Sequence, residues 1–306
     1  MKKTVYFLLL WAVFIAASCK QPNLTPAYIL ITPEDINNCV DVSNFNETHG
    51  TSYDEEQLSA FQQHTFTHVN VYVNGKNLGC WEVPCKVPVL DMNGEDTASV
   101  VILPAFRKTG MTNTVMGYPF FNVLLKKLLL KPGETYQFSN DPLSFRYTSY
   151  SQCPYLETFI NSSSFTPTDT SHNMTFMPDH HDGRSVGVIS MTTDDYFDVA
   201  TPFITLPARN YYVLLEVTYK IDSNVEVGLK LSTGQNPNTV HSLGGMYATN
   251  GEWKTIYFDL AKVISSYHYT GSSLTTASIV LSGIGEKNKN TNFYIDNIKI
   301  IYEPSI

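Results

Sequence analysis

Along most of this chain apolar and polar residues alternate with a period of two, and turn-forming residues separate the runs. A half-buried β-strand produces that pattern because successive side chains point to opposite faces of a sheet. The sharpest instance is Val69-Asn70-Val71-Tyr72-Val73, then Asn74-Gly75, then Leu78-Gly79-Cys80-Trp81-Glu82-Val83. Asn-Gly accepts the positive φ angles of a two-residue hairpin turn, so these residues predict a β-hairpin. Tyr28-Ile29-Leu30-Ile31 predicts an earlier strand and Ser99-Val100-Val101-Ile102-Leu103 a later one. Residues 128–138 predict another, carrying the turn Lys131-Pro132-Gly133-Glu134. Between the first strand and the hairpin, residues 37–63 are rich in Asn, Asp, Ser and Glu and predict a long loop.

A second group of strands follows residue 151. Tyr155-Leu156-Glu157-Thr158-Phe159, residues 185–190, 203–207, 211–219, 225–231, 252–260, 277–282 and 292–302 carry strand patterns, and 161–182 reads as a polar loop. The expected fold class is all-β: an immunoglobulin-like or prealbumin-like β-sandwich over 28–150, then a double-sheet jelly roll over 151–306.

The start of the chain has another character. Lys2-Lys3 precedes an apolar run over 5–15, and Ala16-Ala17-Ser18 stands immediately before Cys19. That is the order of a secretory signal, and the run is too short to cross a hydrocarbon layer of about 30 Å. It resembles the signals of bacterial lipoproteins, with Ala16 where Leu is usual; the resemblance implies cleavage after residue 18 and lipid on Cys19. Acyl chains contribute about 0.8 kcal/mol per buried methylene, so several hold a protein at a membrane face. Residues 19–27, polar and punctuated by proline, predict a tether.

Composition narrows the partners. A net charge of −8, or −10 once Lys2 and Lys3 are removed, comes without a basic cluster that could follow a phosphate backbone, which excludes nucleic acid. Cys39, Cys80, Cys85 and Cys153 lack zinc-site spacing. An oxidising compartment permits three disulfide pairings among them, and free buried thiols fit equally well.

Val71-Tyr72-Val73-Asn74, Leu78-Gly79, Glu82, Pro84, Pro88-Val89-Leu90 and Tyr118-Pro119-Phe120-Phe121 resemble the N-terminal half of a family of Bacteroidota lipoproteins that carry a C-terminal jelly roll. The resemblance implies an outer-membrane location. Lys20-Gln21-Pro22-Asn23 lacks the acidic residues common after the lipidated cysteine of surface-exposed members, which leaves the periplasmic and cell-surface faces open. Asp96-Thr97-Ala98 resembles the O-glycosylation sequon of that phylum, with Thr97 as acceptor. The closing motifs, Gly251-Glu252-Trp253-Lys254 and Phe293-Tyr294-Ile295-Asp296-Asn297-Ile298, resemble jelly rolls of carbohydrate-binding type. In such domains a structural calcium often joins the first and last strands. Glu157 and Asp296 are the corresponding ligands, and Asp296 capping its own strand end is the competing reading.

Reaction chemistry is not apparent. The chain has no Gly-x-Ser-x-Gly elbow, Gly-rich phosphate loop or HExxH helix, and acidic pairs such as Glu55-Glu56 and Asp194-Asp195 are consecutive in polar stretches. His180-His181-Asp182 reads as a solvated loop. The expectation is a non-enzymatic binding protein. Docking on an outer-membrane protein assembly through residues 37–63, Tyr118, Phe120 and Phe121 and the face between the domains is preferred, although those aromatics, taken alone, read first as a core plug. The alternative is glycan capture by the jelly roll. Its available rings are Trp253, Tyr247, Tyr267, Tyr269 and Tyr196, with Tyr267 and Tyr269 the better exposed and Trp253 reading first as a core residue.

Overall fold

The computed structural model describes residues 25–37, 39–90, 97–110, 114–168, 173–192, 195–208, 212–232, 239–267 and 274–303. Cys19, Asp96 and Tyr269 lie outside them, as does the side chain of Tyr267. The first unit is a β-sandwich. Strand β1 (Ala27–Ile31) buries Ala27, Ile29 and Ile31, as its alternation requires, and pairs antiparallel with β4 (Cys85–Val89) and parallel with β8 (Thr135–Tyr136). Its other sheet holds β3 (Lys76–Glu82), β2 (His68–Val73), β5 (Thr97–Arg107), β6 (Val115–Gly117) and β7 (Leu124–Leu129). Asn74 and Gly75 turn from β2 into β3 with φ of 49° and 76°, the positive pair that a tight hairpin demands.

Two sheets of six strands form the jelly roll. One runs β11 (Met177–His181), β12 (Arg184–Met191), β20 (Thr291–Glu303), β15 (Tyr212–Ile221), β18 (Lys254–Asp259), with β9 (Gln152–Glu157) also on β20. The other runs β10 (Thr166–Pro167), β13 (Tyr196–Ala200), β19 (Leu274–Ile284), β16 (Val225–Leu231), β17 (Val240–Met246), with β14 (Ile204–Pro207) on β19. Phe176, Phe197, Leu215, Val227, Ile279 and Phe293 are among the fully buried side chains between the sheets. Gly187 in β12 is part of this packing: a Cβ there would stand 2.5 Å from the ring of Phe159, itself 1% exposed. Gly187→Ala is therefore expected to lower stability by about 1–3 kcal/mol, read from the urea midpoint, because the buried ring must be displaced.

The structure corrects four readings. Residues 37–63 are not a long loop. They include α2 (Phe45–His49) and α3 (Glu55–Ala60), preceded by α1 (Glu34–Asn37), and they bury Phe45, Ala60 and Phe61. Asp54 starts α3 with a capping box, accepting from the Gln57 amide while Gln57 accepts from its own. The strand expected over 128–138 is two, β7 and β8, in different sheets; the turn at Gly133, φ 83°, redirects the chain between them. Within 161–182 lie β10 and β11, and Asp182-Gly183, both at positive φ, close a hairpin from β11 to β12. Strands β13 and β17 and the helix α4 (Leu260–Tyr267) are further elements that the pattern reading passed over.

The two units share a buried seam. Strands β15 and β20 are buried along nearly their whole length, which requires cover on both faces. The inner face meets the jelly-roll core, and Leu214, Tyr257 and Ile301 on the outer face belong to the core of the sandwich. In the middle of this apolar contact Glu216 and Lys299, both with fully buried side chains, pair at 3.0 Å. Tyr118 Oη donates to Glu216 Oε1 at 2.7 Å, and Lys299 Nζ donates to the Ala60 carbonyl at 2.7 Å. His64 Nε2 faces the Phe61 carbonyl, an acceptor only, at 3.1 Å; the ring proton therefore sits on Nε2, and Nδ1 accepts from Tyr257 Oη at 3.3 Å. Burial holds the His64 pKa well below the usual imidazole range, and the Lys299 charge lowers it further. Neutral His64 thus completes a polar network between the units.

Candidate functional site

Burial of one jelly-roll sheet leaves the other to present a surface. Along β13, Phe197 and Val199 point into the core, so Tyr196 and Asp198 point outward; along β16, Val225, Val227 and Leu229 point inward, so Glu226 and Gly228 point outward. Register then assembles the outer rows. Asp198 lies opposite Ser282, Ser282 opposite Glu226, and Glu226 opposite Gly245. In the adjacent row Ala200, Val280, Gly228 and Ser242 follow one another across the sheet. Of this second row Ser242 lines the surface, while Val280 is 4% exposed. Gly228 is required by close approach, since a Cβ there would meet Val240 Cγ1 at 2.4 Å.

The result is an open groove of about 680 Å³ whose lining includes Tyr196, Asp198, Glu226, Ser242, Tyr247 and Ser282. Its rings are accessible: Tyr247 is 63% exposed and Tyr196 37%, with Ile284 beside Tyr196 at 62%. Polar groups sit between them in fixed positions. Ser282 Oγ donates to Asp198 Oδ1 at 2.9 Å, and Asn224 Oδ1 accepts the Ala248 amide at 3.0 Å, which leaves the Asn224 amide nitrogen as its donor end. Aromatic surface bordering carboxylates, hydroxyls and an amide suits a ligand that has apolar ring faces and hydroxyl edges. Tyr196 and Tyr247 were among the rings noted in the sequence; the acidic and hydroxyl residues beside them were not, because only cross-strand register places them in one row.

The structure distributes the other candidates elsewhere. Tyr118, Phe120 and Phe121 are 5%, 0% and 6% exposed and pack against His64, Phe66, Phe145 and Tyr147, so they are core and not a ligand platform. Phe45, Tyr53, Phe61 and Tyr147 bound a smaller cavity of about 260 Å³ in the sandwich, where aromatic packing accounts for the lining. Trp253 lies at the seam, half-buried, donating from Nε1 to Asp182 Oδ2 at 3.1 Å. Thr97 opens β5 and is exposed. Cys39 Sγ donates to the Asp35 carbonyl at 2.7 Å, and Cys80, Cys85 and Cys153 are free thiols; burial pushes Cys85 up to about 11 and Cys153 up to about 12, which removes the thiolate reactivity of those two near neutral pH.

Glu157 and Asp296 do not fit a calcium ion. Both oxygens of Glu157 accept backbone amides, from Phe159 at 3.0 Å and Ser164 at 2.7 Å, and Asp296 Oδ2 accepts from Arg184 at 2.5 Å. The Arg184 guanidinium already neutralises Asp296 and repels a further cation there, where calcium wants six to eight oxygen ligands. His180-His181-Asp182 is the end of the β11–β12 hairpin: His181 stacks on Tyr294 at 4.0 Å, and Asp182 accepts from Lys220 at 2.8 Å. Among the described residues no three His, Cys, Asp or Glu side chains converge as a metal site.

No family model matches this chain, and no curated protein matches it. Solved structures do. A family 29 carbohydrate-binding module from Piromyces equi is 12% identical with a TM-score of 0.32, covering 51% of this chain and 91% of its own. A family 11 carbohydrate-binding module from Clostridium thermocellum, solved with a β-1,3-1,4-mixed-linked tetrasaccharide, is 14% identical with a TM-score of 0.33, covering 49% and 94%. The K3 cleaved adhesin domain of Lys-gingipain from Porphyromonas gingivalis is 15% identical with a TM-score of 0.33, covering 49% and 98%. The chain is all-β by its own strands, and its structural neighbours include carbohydrate-binding modules.

Proposed function

We propose that this protein is a non-enzymatic glycan-binding protein, held at the outer membrane by lipid on Cys19, that captures uncharged saccharide chains on the open sheet of its jelly roll. One observation carries the reading: the uncovered face bears two exposed tyrosines beside a groove with carboxylates and hydroxyls on its floor. Asp198 and Glu226 disfavour uronates and sulfated chains, since like charges in a groove repel the ligand. The alternative of docking on an outer-membrane protein assembly loses its aromatic anchors, because Phe45, Phe61, Tyr118, Phe120 and Phe121 are buried within the protein.

Affinity electrophoresis through gels containing soluble glucan, mannan, xylan or galactan tests this function. Retardation by at least one of them, and none by polygalacturonate, is the expected result; unretarded migration in every neutral gel would overturn it. The anchor has a separate test. Cys19→Ala is expected to move the protein from the detergent phase to the aqueous phase on Triton X-114 partitioning, and an unchanged distribution would refute lipidation.

A further inference from the structure

A second polar hollow opens at the seam between the units. Two connected clefts of about 420 and 340 Å³ meet there, and Ser59, Gln63 and Arg184 line both. Trp253 forms part of the larger one. Its ring is held from two sides: Nε1 donates to Asp182, and the Arg184 guanidinium lies 5.1 Å from the ring centroid. An aromatic ring so held loses little freedom when a ligand covers it.

The hydrogen-bond network fixes what the hollow offers. Arg184 can only donate, and its Nη1 reaches Gln63 Oε1 at 3.1 Å, so that atom of Gln63 is the oxygen. The same oxygen takes a second bond from Asn297 Nδ2 at 3.0 Å. The Gln63 carbonyl is therefore engaged, and the amide N–H groups are what Gln63 brings to a ligand. Asn297 in turn must direct Oδ1 away from Gln63. Asn297 is 1% exposed, and that Oδ1 has no hydrogen-bond partner.

Charge sets the ligand class. Arg184 is neutralised by Asp296, and Lys220 by Asp182. Lys254 lines the larger cleft and Glu56 the smaller. Arg184, the cation common to both clefts, is thus compensated, and Lys254 by itself is no clamp for an anionic group. We propose that this seam is a second saccharide site, taking one or two uncharged sugar residues against Trp253 with Gln63 as hydrogen-bond donor. It lies on the covered sheet's side of the molecule, away from the tyrosine groove, and stands independently of that groove's function.

Calorimetric titration of the mature protein with cellohexaose, mannohexaose and xylohexaose tests it, in wild type, in the Tyr196→Ala/Tyr247→Ala pair, and in Trp253→Ala and Gln63→Ala. The tyrosine pair is expected to retain saturable binding of at least one probe, and adding either Trp253→Ala or Gln63→Ala is expected to weaken that binding at least tenfold. Trp253→Phe, which keeps a ring, should restore part of it; thermal melts identify any variant that fails to fold. Complete loss of binding in the tyrosine pair would overturn the second site while leaving the groove in place. Residual binding indifferent to Trp253 and Gln63 would also overturn it. Binding lost only through Trp253 and Gln63 would support the seam and refute the groove, and failure of all three probes in wild type would refute both.

Discussion

Glu216→Ala is expected to destabilise the protein by about 3–5 kcal/mol, measured by urea unfolding at neutral pH. The substitution leaves Lys299 charged in a site where its side chain is 0% exposed, with the Ala60 carbonyl as its hydrogen-bond acceptor, and it deprives Tyr118 of its 2.7 Å acceptor. An uncompensated buried charge is the largest single penalty available in this seam. Replacing both partners, Glu216→Met with Lys299→Met, is expected to recover most of the loss, because two apolar side chains need no solvation and suit the surrounding Leu214, Tyr257 and Ile301. The seam also makes the units unfold together, so a single transition is expected for wild type. A loss below about 1 kcal/mol in Glu216→Ala would mean that water reaches the pair and that the units are not packed as described.

The second large effect concerns ligand capture. Tyr247→Ala and Tyr196→Ala are each expected to weaken binding to a retained neutral polysaccharide about 30-fold, equivalent to about 2 kcal/mol, with little change in stability. Both rings stand on the solvent side of the sheet, at 63% and 37% exposure, so truncation opens no cavity in the core. Phenylalanine at either position should keep most of the affinity, since the ring face rather than the hydroxyl supplies the contact. Asp198→Ala should act differently. It removes the acceptor that positions Ser282, and a smaller loss that varies among sugars is the expected signature.

Much of the fold was legible because period-two alternation is a direct consequence of having one wet and one dry face. The Asn74-Gly75 hairpin and strands β12, β14, β16 and β19 follow from it. The pattern weakened where that premise failed. Strands β15 and β20 are dry on both faces, and the polar residues within them, Glu216, Asn297 and Lys299, read as solvent-facing until the sandwich is placed over them. For the same reason the parity of Trp253, Thr255 and Tyr257 against Ile256 and Phe258 could not reveal a wet side, since neither side of β18 is wet. Local signals were also present and unread: Asp54 with Gln57 as a capping box, and Asp182-Gly183 as a hairpin turn. The groove itself was out of reach of any local reading. Tyr196, Glu226 and Ser282 lie on three strands and Tyr247 just past the end of a fourth, and only the long-range register of β13, β19, β16 and β17 gathers them.

The central claim is that the uncovered jelly-roll sheet is the binding face. The most direct test is a ¹⁵N–¹H correlation spectrum of the mature protein during titration with whichever neutral polysaccharide fragment retards it. Shifts concentrated at residues 196–198, 224–226, 242–247 and 282–284 are the predicted result. Shifts confined to other surfaces, with those strands unmoved at saturation, would contradict it.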